Sequence, residues 1–341
     1  MELDALDASL AAWPDLPLAT ACSGLLLGNG ASRAVWRSFA YDSLFEQAQT
    51  VRNKPLGQTD LALFKSMATQ NFEQVLGSLN TTVRVNAALA ISSSSPLNRY
   101  YAIKEALIHA MRSVHIPWKL LPAASMLQIN AALRAYTTVY STNYDLLAHW
   151  AVQQAPEGFA ELFDVDTGFD ACHTRAPGTR LLHLHGGLHL IKQADGTTFQ
   201  RAASASALLD GFAINQPGEV PLFVNEGQLA DKLRAIRNSD YLSWCHAQLA
   251  NHQGPLCLFG HSLGKQDRHL LEAIVQAGIQ QLAISIFPLS DAWVISQKHY
   301  FSQLFAAHGT QLSFFNATTH PLGSPSLNVP VVKPAAAKRR R

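Results

Sequence analysis

Short apolar runs bounded by glycine, proline or asparagine recur along this chain, and longer stretches with apolar residues at helical spacing lie between them. Seven of the runs read as buried strands: Gly24–Gly28, Thr138–Ser141, Leu181–His185, Leu222–Val224, Leu256–Phe259, Leu282–Phe287 and Leu312–Phe315. Runs this short and this apolar fit parallel strands covered on both faces. Ser32 is placed to cap a helix after the first of them. Tyr144–Val152 predicts a helix behind Asn143, and Gln266–Gln276 one with Leu270, Leu271 and Ile274 on one face. Ser290–Ala307 predicts another, with Trp293, Val294, Phe301, Leu304 and Phe305 turned inward. Strand–helix alternation of this kind predicts an α/β fold, Rossmann-like and doubly wound, on a mostly parallel sheet.

More than 100 residues separate the first two strands, too many for one crossover helix. Residues 53–122 read as a helical insertion over one side of the sheet, with helices at Leu61–Met67, Phe72–Leu79, Val83–Ile91 and Arg99–His115 and a break at Ser92–Pro96. A second insertion, Gln154–Thr179, is rich in Gly, Pro and Asp and reads as a loop. One folded domain is expected over residues 1–320, followed by a disordered basic tail over 321–341.

Composition narrows the class. A 48% hydrophobic fraction fills a globular core, and 15% charged residues is too few for a disordered chain. Five of the 26 basic residues sit in the last nine positions, which leaves 21 against 24 acidic residues. An extended nucleic-acid surface needs many phosphate-neutralising cations, so nucleic acid is expected only at the basic tail, if anywhere. The four cysteines, Cys22, Cys172, Cys245 and Cys257, form no C-x-x-C pair, which argues for reduced thiols rather than a zinc ribbon or disulfide framework. The acidic start Met1-Glu2-Leu3-Asp4 lacks a basic n-region, and no apolar stretch there approaches a span. The expectation is a cytoplasmic protein with no membrane partner.

The candidate chemistry lies at the strand ends. Gly28-Asn29-Gly30-Ala31-Ser32 follows an apolar strand and opens a helix, the setting of a phosphate-binding turn. Arg33 stands where G-x-G-x-x-G needs its third glycine, and is itself a candidate phosphate contact. An ordinary tight strand–helix turn uses the same residues. Asn143 and Asp145 bracket Tyr144 at another strand end, where strand alternation sends the two polar groups to one side; Asn143 is equally a helix N-cap. His183, His185 and His189 invite a metal reading, but no adjacent acidic ligand accompanies them, so no metal is expected. His185, before Gly186-Gly187, is better placed as a base in a cleft. Gly260-His261-Ser262-Leu263-Gly264 matches the nucleophile elbow of α/β-hydrolases, with Asp291 and His320 following in order. Against it, only 79 residues follow Ser262, His320 borders the expected tail, and the two earlier motifs are left without a role.

Taken together, the motifs resemble the sirtuin-like superfamily, and within it a bacterial branch known only as a domain of unknown function. Leu25–Ser32, Asn71-Phe72-Glu73 with Val75-Leu76, Ser141–Leu147, Leu184–His189, Pro221–Gly227, Lys232, Ser239-x-Tyr241-Leu242 and Phe259–Asp267 fall in that family's order. The resemblance implies a Rossmann-like site for NAD. Gly28, Asn29, Gly30, Ala31 and Ser32 would hold the pyrophosphate. Asn143 and Asp145 would flank the nicotinamide ribose, and His185 would be the base. Gly260, His261, Ser262 and Leu263, with Asp267, would meet the adenosine side. The chain lacks the paired C-x-x-C zinc module of sirtuin deacetylases, so protein deacetylation is not implied. Related bacterial domains without that module are NAD glycohydrolases, often in anti-phage defence. The implied function is therefore an NAD-binding protein that hydrolyses NAD to nicotinamide and ADP-ribose. A non-catalytic NAD or ADP-ribose sensor is the alternative on the same pocket. A homo-oligomer or a partner protein is compatible with either.

Overall fold

The sheet is built from strands too short and too apolar to stand in water. In chain order the strands are β1 (Gly24–Leu27), β2 (Thr138–Ser141), β3 (Phe163–Asp164), β4 (Gly168–Phe169), β5 (Arg180–His183), β6 (Gly186–Lys192), β7 (Thr198–Gln200), β8 (Pro221–Phe223), β9 (Leu256–Phe259), β10 (Gln281–Ile286) and β11 (Gln311–Asn316). This computed structural model describes residues 7–39, 44–164, 166, 168–172, 177–193, 195–201, 221–223 and 229–330. Six strands pair in parallel in the order β11-β10-β9-β1-β2-β5. Counted along the chain, that is the 3-2-1-4-5-6 order of a Rossmann-like sheet, whose winding reverses between β1 and β9.

The helices cover both faces. They are α1 (Leu18–Ala21), α2 (Asn29–Val35), α3 (Leu44–Thr50), α4 (Gln58–Ser66), α5 (Phe72–Ala88), α6 (Ser94–Val114), α7 (Ala123–Arg134), α8 (Leu147–Gln154), α9 (Leu229–Arg237), α10 (Asp240–Ala250), α11 (Arg268–Gln276) and α12 (Asp291–Phe305). Strand alternation divides the core in two. Leu25, Leu27, Val139, Cys257 and Phe259 join the layer that holds the helical insertion and α7–α8. Leu26, Tyr140, Leu182, Leu256 and Leu258 join the layer that holds α9–α12.

The structure departs from the sequence reading at several points. Pro221–Phe223 is not a strand of the parallel sheet: it pairs antiparallel with β6, which also pairs with β7, in a separate three-stranded sheet. An apolar run reads the same in either setting. Val224 lies outside the described residues. The run expected to end at His185 is split by a turn, with β5 closing at His183 and β6 starting at Gly186. Helix α5 runs unbroken through the point where two helices were expected, and α7 was not anticipated. The second insertion contains the β3–β4 hairpin. Trp293 is 41% exposed rather than inward. Residues 321–330 are folded: Leu322 and Leu327 are buried, and the Val329 N–H donates to the Val35 carbonyl at 2.8 Å. Of the expected tail, 331–341 lie outside the described residues.

Candidate functional site

Loops leaving four parallel strands meet at the switch point around a cavity of about 250 Å³. Asn29 lines it after β1, Thr142 to Asp145 after β2, and His185 after β5. Gly260, His261, Ser262, Gln266 and Asp267 line it after β9, and Lys232 reaches in from α9. The carboxyl ends of strands at a reversal of winding are where open α/β sheets take ligands.

The two glycine motifs serve each other first. A Cβ on Gly28 would stand 2.4 Å from the Gly260 carbonyl oxygen, and one on Gly30 2.6 Å from Gly260 Cα. Gly260 itself has φ +67°, and its Cβ position is 2.6 Å from Ala31 N. The β1 and β9 loops therefore interlock backbone to backbone. Three N–H groups of the β1 turn are used locally, two of them across this contact. Gly28 donates to Phe259 O at 2.9 Å, Gly30 to Gly260 O at 2.9 Å and Ala31 to Gly28 O at 3.0 Å. The sequence reading had this turn present donors to a pyrophosphate, whereas three of them are turned onto carbonyls. Arg33 is exposed on α2 and does not line the cavity.

Half-buried Asn143 and the buried Asp145 and Ser32 form one polar unit. The Asn143 amide nitrogen donates to Gly28 O and Ser32 Oγ, both at 3.0 Å, and Ser32 Oγ donates to Asp145 Oδ2 at 2.5 Å. With its nitrogen used twice, Asn143 is left with Oδ1 as its free acceptor. Asp145 Oδ1 accepts from Leu147 N–H at 2.9 Å, so Asp145 rather than Asn143 takes the first N–H of α8, whose N-cap position is Leu146 and which starts at Leu147 rather than Tyr144. His115 holds the same turn from behind. It accepts from Leu146 N–H at Nε2 (3.1 Å), which assigns its Nδ1–H to Ile116 O (2.8 Å). Tyr144 also lines the cavity, so alternation does not separate it from its neighbours.

The opposite wall is a histidine-rich charge cluster. His185 Nε2 and His269 Nε2 face each other at 2.9 Å, so one proton lies between them. Lys232 Nζ donates to Asp267 Oδ1 at 2.9 Å, with Lys232 4% and Asp267 9% exposed. His261 accepts from Leu263 N–H at Nδ1 (2.9 Å), which leaves Nε2–H toward Asp267 Oδ2 at 3.9 Å. Burial pushes His185 well below the usual imidazole range, with His269 and Lys232 adding to it. Burial also lowers His269, to about 4, with Lys232 next to it. Burial raises the Asp267 carboxyl, but His261, His185 and Lys232 together outweigh that and hold it below its ordinary value. The result near neutral pH is a Lys–Asp ion pair among neutral imidazoles.

His269 and the chemical role of Lys232 escaped the motif reading. His269 has a signal in hindsight, since Asp267-Arg268-His269 puts two side chains of ligating type two positions apart at the start of α11. Lys232, 35 positions from Asp267, is marked in the sequence only by its place in the resemblance's motif order, with no role attached. Leu263, read as an adenosine contact, is buried at φ +47°, and its carbonyl accepts from Tyr300 Oη at 2.7 Å. The hydrolase constellation does not assemble among the described residues. Ser262 is exposed at the cavity, while His320 is 1% exposed, accepts from Leu322 N–H at Nδ1 and donates from Nε2 to Tyr136 Oη at 3.0 Å. His320 packs on Trp13 and Phe259 and does not line the cavity.

Fold and cleft together define a Rossmann-like α/β protein with a polar, histidine-rich site at its switch point. A family model described as a domain of unknown function (DUF4917) matches residues 25–322, and the chain belongs to that family. No curated protein matches it. Among the described residues no helix is long and apolar enough to cross a membrane.

Proposed function

We propose that the cleft binds NAD or ADP-ribose and that the protein hydrolyses the nicotinamide–ribose bond of NAD. The observation that carries the reading is the meeting of Asn143 and His185, from the ends of β2 and β5, at one cavity beside the β1–β9 switch point. In this reaction the C–N bond to the ribose breaks, nicotinamide leaves neutral, and positive charge builds on the ribose. Water then bonds to the anomeric carbon and gives up a proton, so that nicotinamide, ADP-ribose and one proton result. The anchored Asn143 presents Oδ1 to a ribose hydroxyl or to the attacking water. Neutral His185 accepts a proton, and the buried Asp145 carboxylate, fixed by Ser32 and Leu147, favours positive charge on the ribose.

The spent N–H groups of the β1 turn change how the diphosphate is met. Lys232 and His261, on the far wall, are the cationic and N–H donors nearest to hand, and Asn29 and Ser262 supply further polar contacts. One observation favours the sensor alternative: His185 Nε2 is turned onto His269, so the base has to exchange that partner for a ribose hydroxyl.

Incubating purified protein with NAD and separating the products decides between them. Nicotinamide and ADP-ribose should appear, and His185→Ala should slow their release by about 10²–10⁴-fold, the usual cost of removing a general base. Release at the parent rate by His185→Ala would remove His185 from the chemistry. Binding of NAD with no product at all would leave the sensor.

A further inference from the structure

We propose that His185, Asp267 and His269 form a binding site for one divalent transition-metal ion, of which zinc is the best match. This goes beyond the NAD reading and does not rest on it. One ligating atom from each of the three lies within 4.8 Å of the other two, and all three residues are buried, at 7%, 9% and 1% exposure. Two imidazoles and one carboxylate are a donor set that zinc takes at about 2.0–2.2 Å per bond, with a fourth position left for water or a ligand. That fourth position has somewhere to open, because His185 and Asp267 both line the cavity.

The local geometry is close to what coordination needs. Zn–N bonds of about 2.0–2.1 Å put tetrahedral donors roughly 3.3–3.4 Å apart. The imidazole nitrogens at 2.9 Å need only open by a few tenths of an ångström. The ion takes the place of the single proton that these nitrogens share, and both rings then carry their hydrogens on Nδ1. His269 Nδ1 has no partner among the described residues. In the pair as it stands, that buried atom is therefore unsatisfied in either tautomer, so coordination adds no new unpaired group there. The backbone supports the placement as well, since Asp267 stands at the N-cap position of α11 and His269 in its first turn.

Lys232 is the competing cation. Its ammonium holds Asp267 Oδ1 at 2.9 Å, so a divalent ion either shares the carboxylate with Lys232 or displaces it. Two substitutions at the same carboxylate and imidazole should therefore act in opposite directions. Untagged, chelator-treated full-length protein is titrated with cobalt(II) chloride, followed by the visible absorption of tetrahedral or five-coordinate cobalt, and then with zinc chloride in competition. The parent should take up one cobalt per chain with that absorption. His269→Ala should weaken binding by at least about tenfold, the scale at which even outer partners of metal ligands matter, and Lys232→Met should tighten it. Circular dichroism of each variant excludes loss of fold as the cause. No stoichiometric cobalt signal in a folded parent, or a signal that His269→Ala leaves unchanged, overturns the site. Neither readout involves NAD, so a failure here leaves the glycohydrolase reading standing; a bound ion, by taking His185 Nε2, leaves that imidazole without a basic nitrogen, so His185 acts as the base only in the metal-free protein.

Discussion

Histidine is the residue that most repays attention here, because the fold keeps so many of its imidazoles uncharged in the interior. His149, 5% exposed and stacked on His189 at 4.0 Å, is lowered by burial to about 3, with His183 adding to the effect. Burial takes His320 to about 3 as well. Their ordinary value is 6.5, so below that pH the unfolded chain takes up protons that the native state refuses. Stability is then full above the unfolded value and falls as the pH drops through 6.5 toward 3. Each histidine contributes a slope of about 1.4 kcal/mol per pH unit in that window. Urea unfolding at pH 7.5 and pH 5 should show a loss of at least about 4 kcal/mol, the share of these two, with the other lowered histidines adding to it, and His320→Gln should flatten its share of the slope. Equal stability at both pH values would mean that these rings are protonated in the native state.

At the scale of elements, the cleft depends on two loops that fit only because Gly28, Gly30 and Gly260 stand at the contact. Gly260→Ala forces an L-residue into φ +67° and drives a methyl group to within 2.6 Å of Ala31 N. Backbone sits on the other side, so the neighbour has little room to yield. The cost should be at least about 1–3 kcal/mol from the backbone conformation alone, read as a lowered urea midpoint with unchanged slope. A variant as stable as the parent would show that the β1 and β9 loops are not locked together. Much of this level was legible in the sequence. Thr138–Ser141 keeps its expected bounds with buried polar residues at both ends. Leu256–Phe259 begins and ends where its apolar run does, because a strand buried on both faces leaves no polar position to blur the boundary. Pro221–Phe223 was misplaced for the same reason, since burial writes the same run into parallel and antiparallel strands. The glycine motif was found but its local duty was not, because a turn that approaches a ligand and a turn that approaches another loop both require glycine.

On the scale of the whole molecule, the 3-2-1-4-5-6 winding brings together residues that the sequence keeps far apart. Asn143 and His185 were expected to converge because both follow strands, and both do line one cavity. Lys232 lines its far wall and His269 backs His185, both from helices, where no strand-end rule locates a side chain. On the proposed function, this cavity is a site for NAD or ADP-ribose. Anything that binds the native state alone raises its stability by RT ln(1 + [L]/Kd), about 2.7 kcal/mol at a hundredfold excess over Kd. Thermal melting of the full chain with millimolar NAD, ADP-ribose or, as a control, an unrelated mononucleotide is the most direct measurement. NAD and ADP-ribose should raise the midpoint by several degrees while the control does not, and Asn143→Ala should shrink the shift. A midpoint that neither NAD nor ADP-ribose moves would contradict the proposed site at its centre.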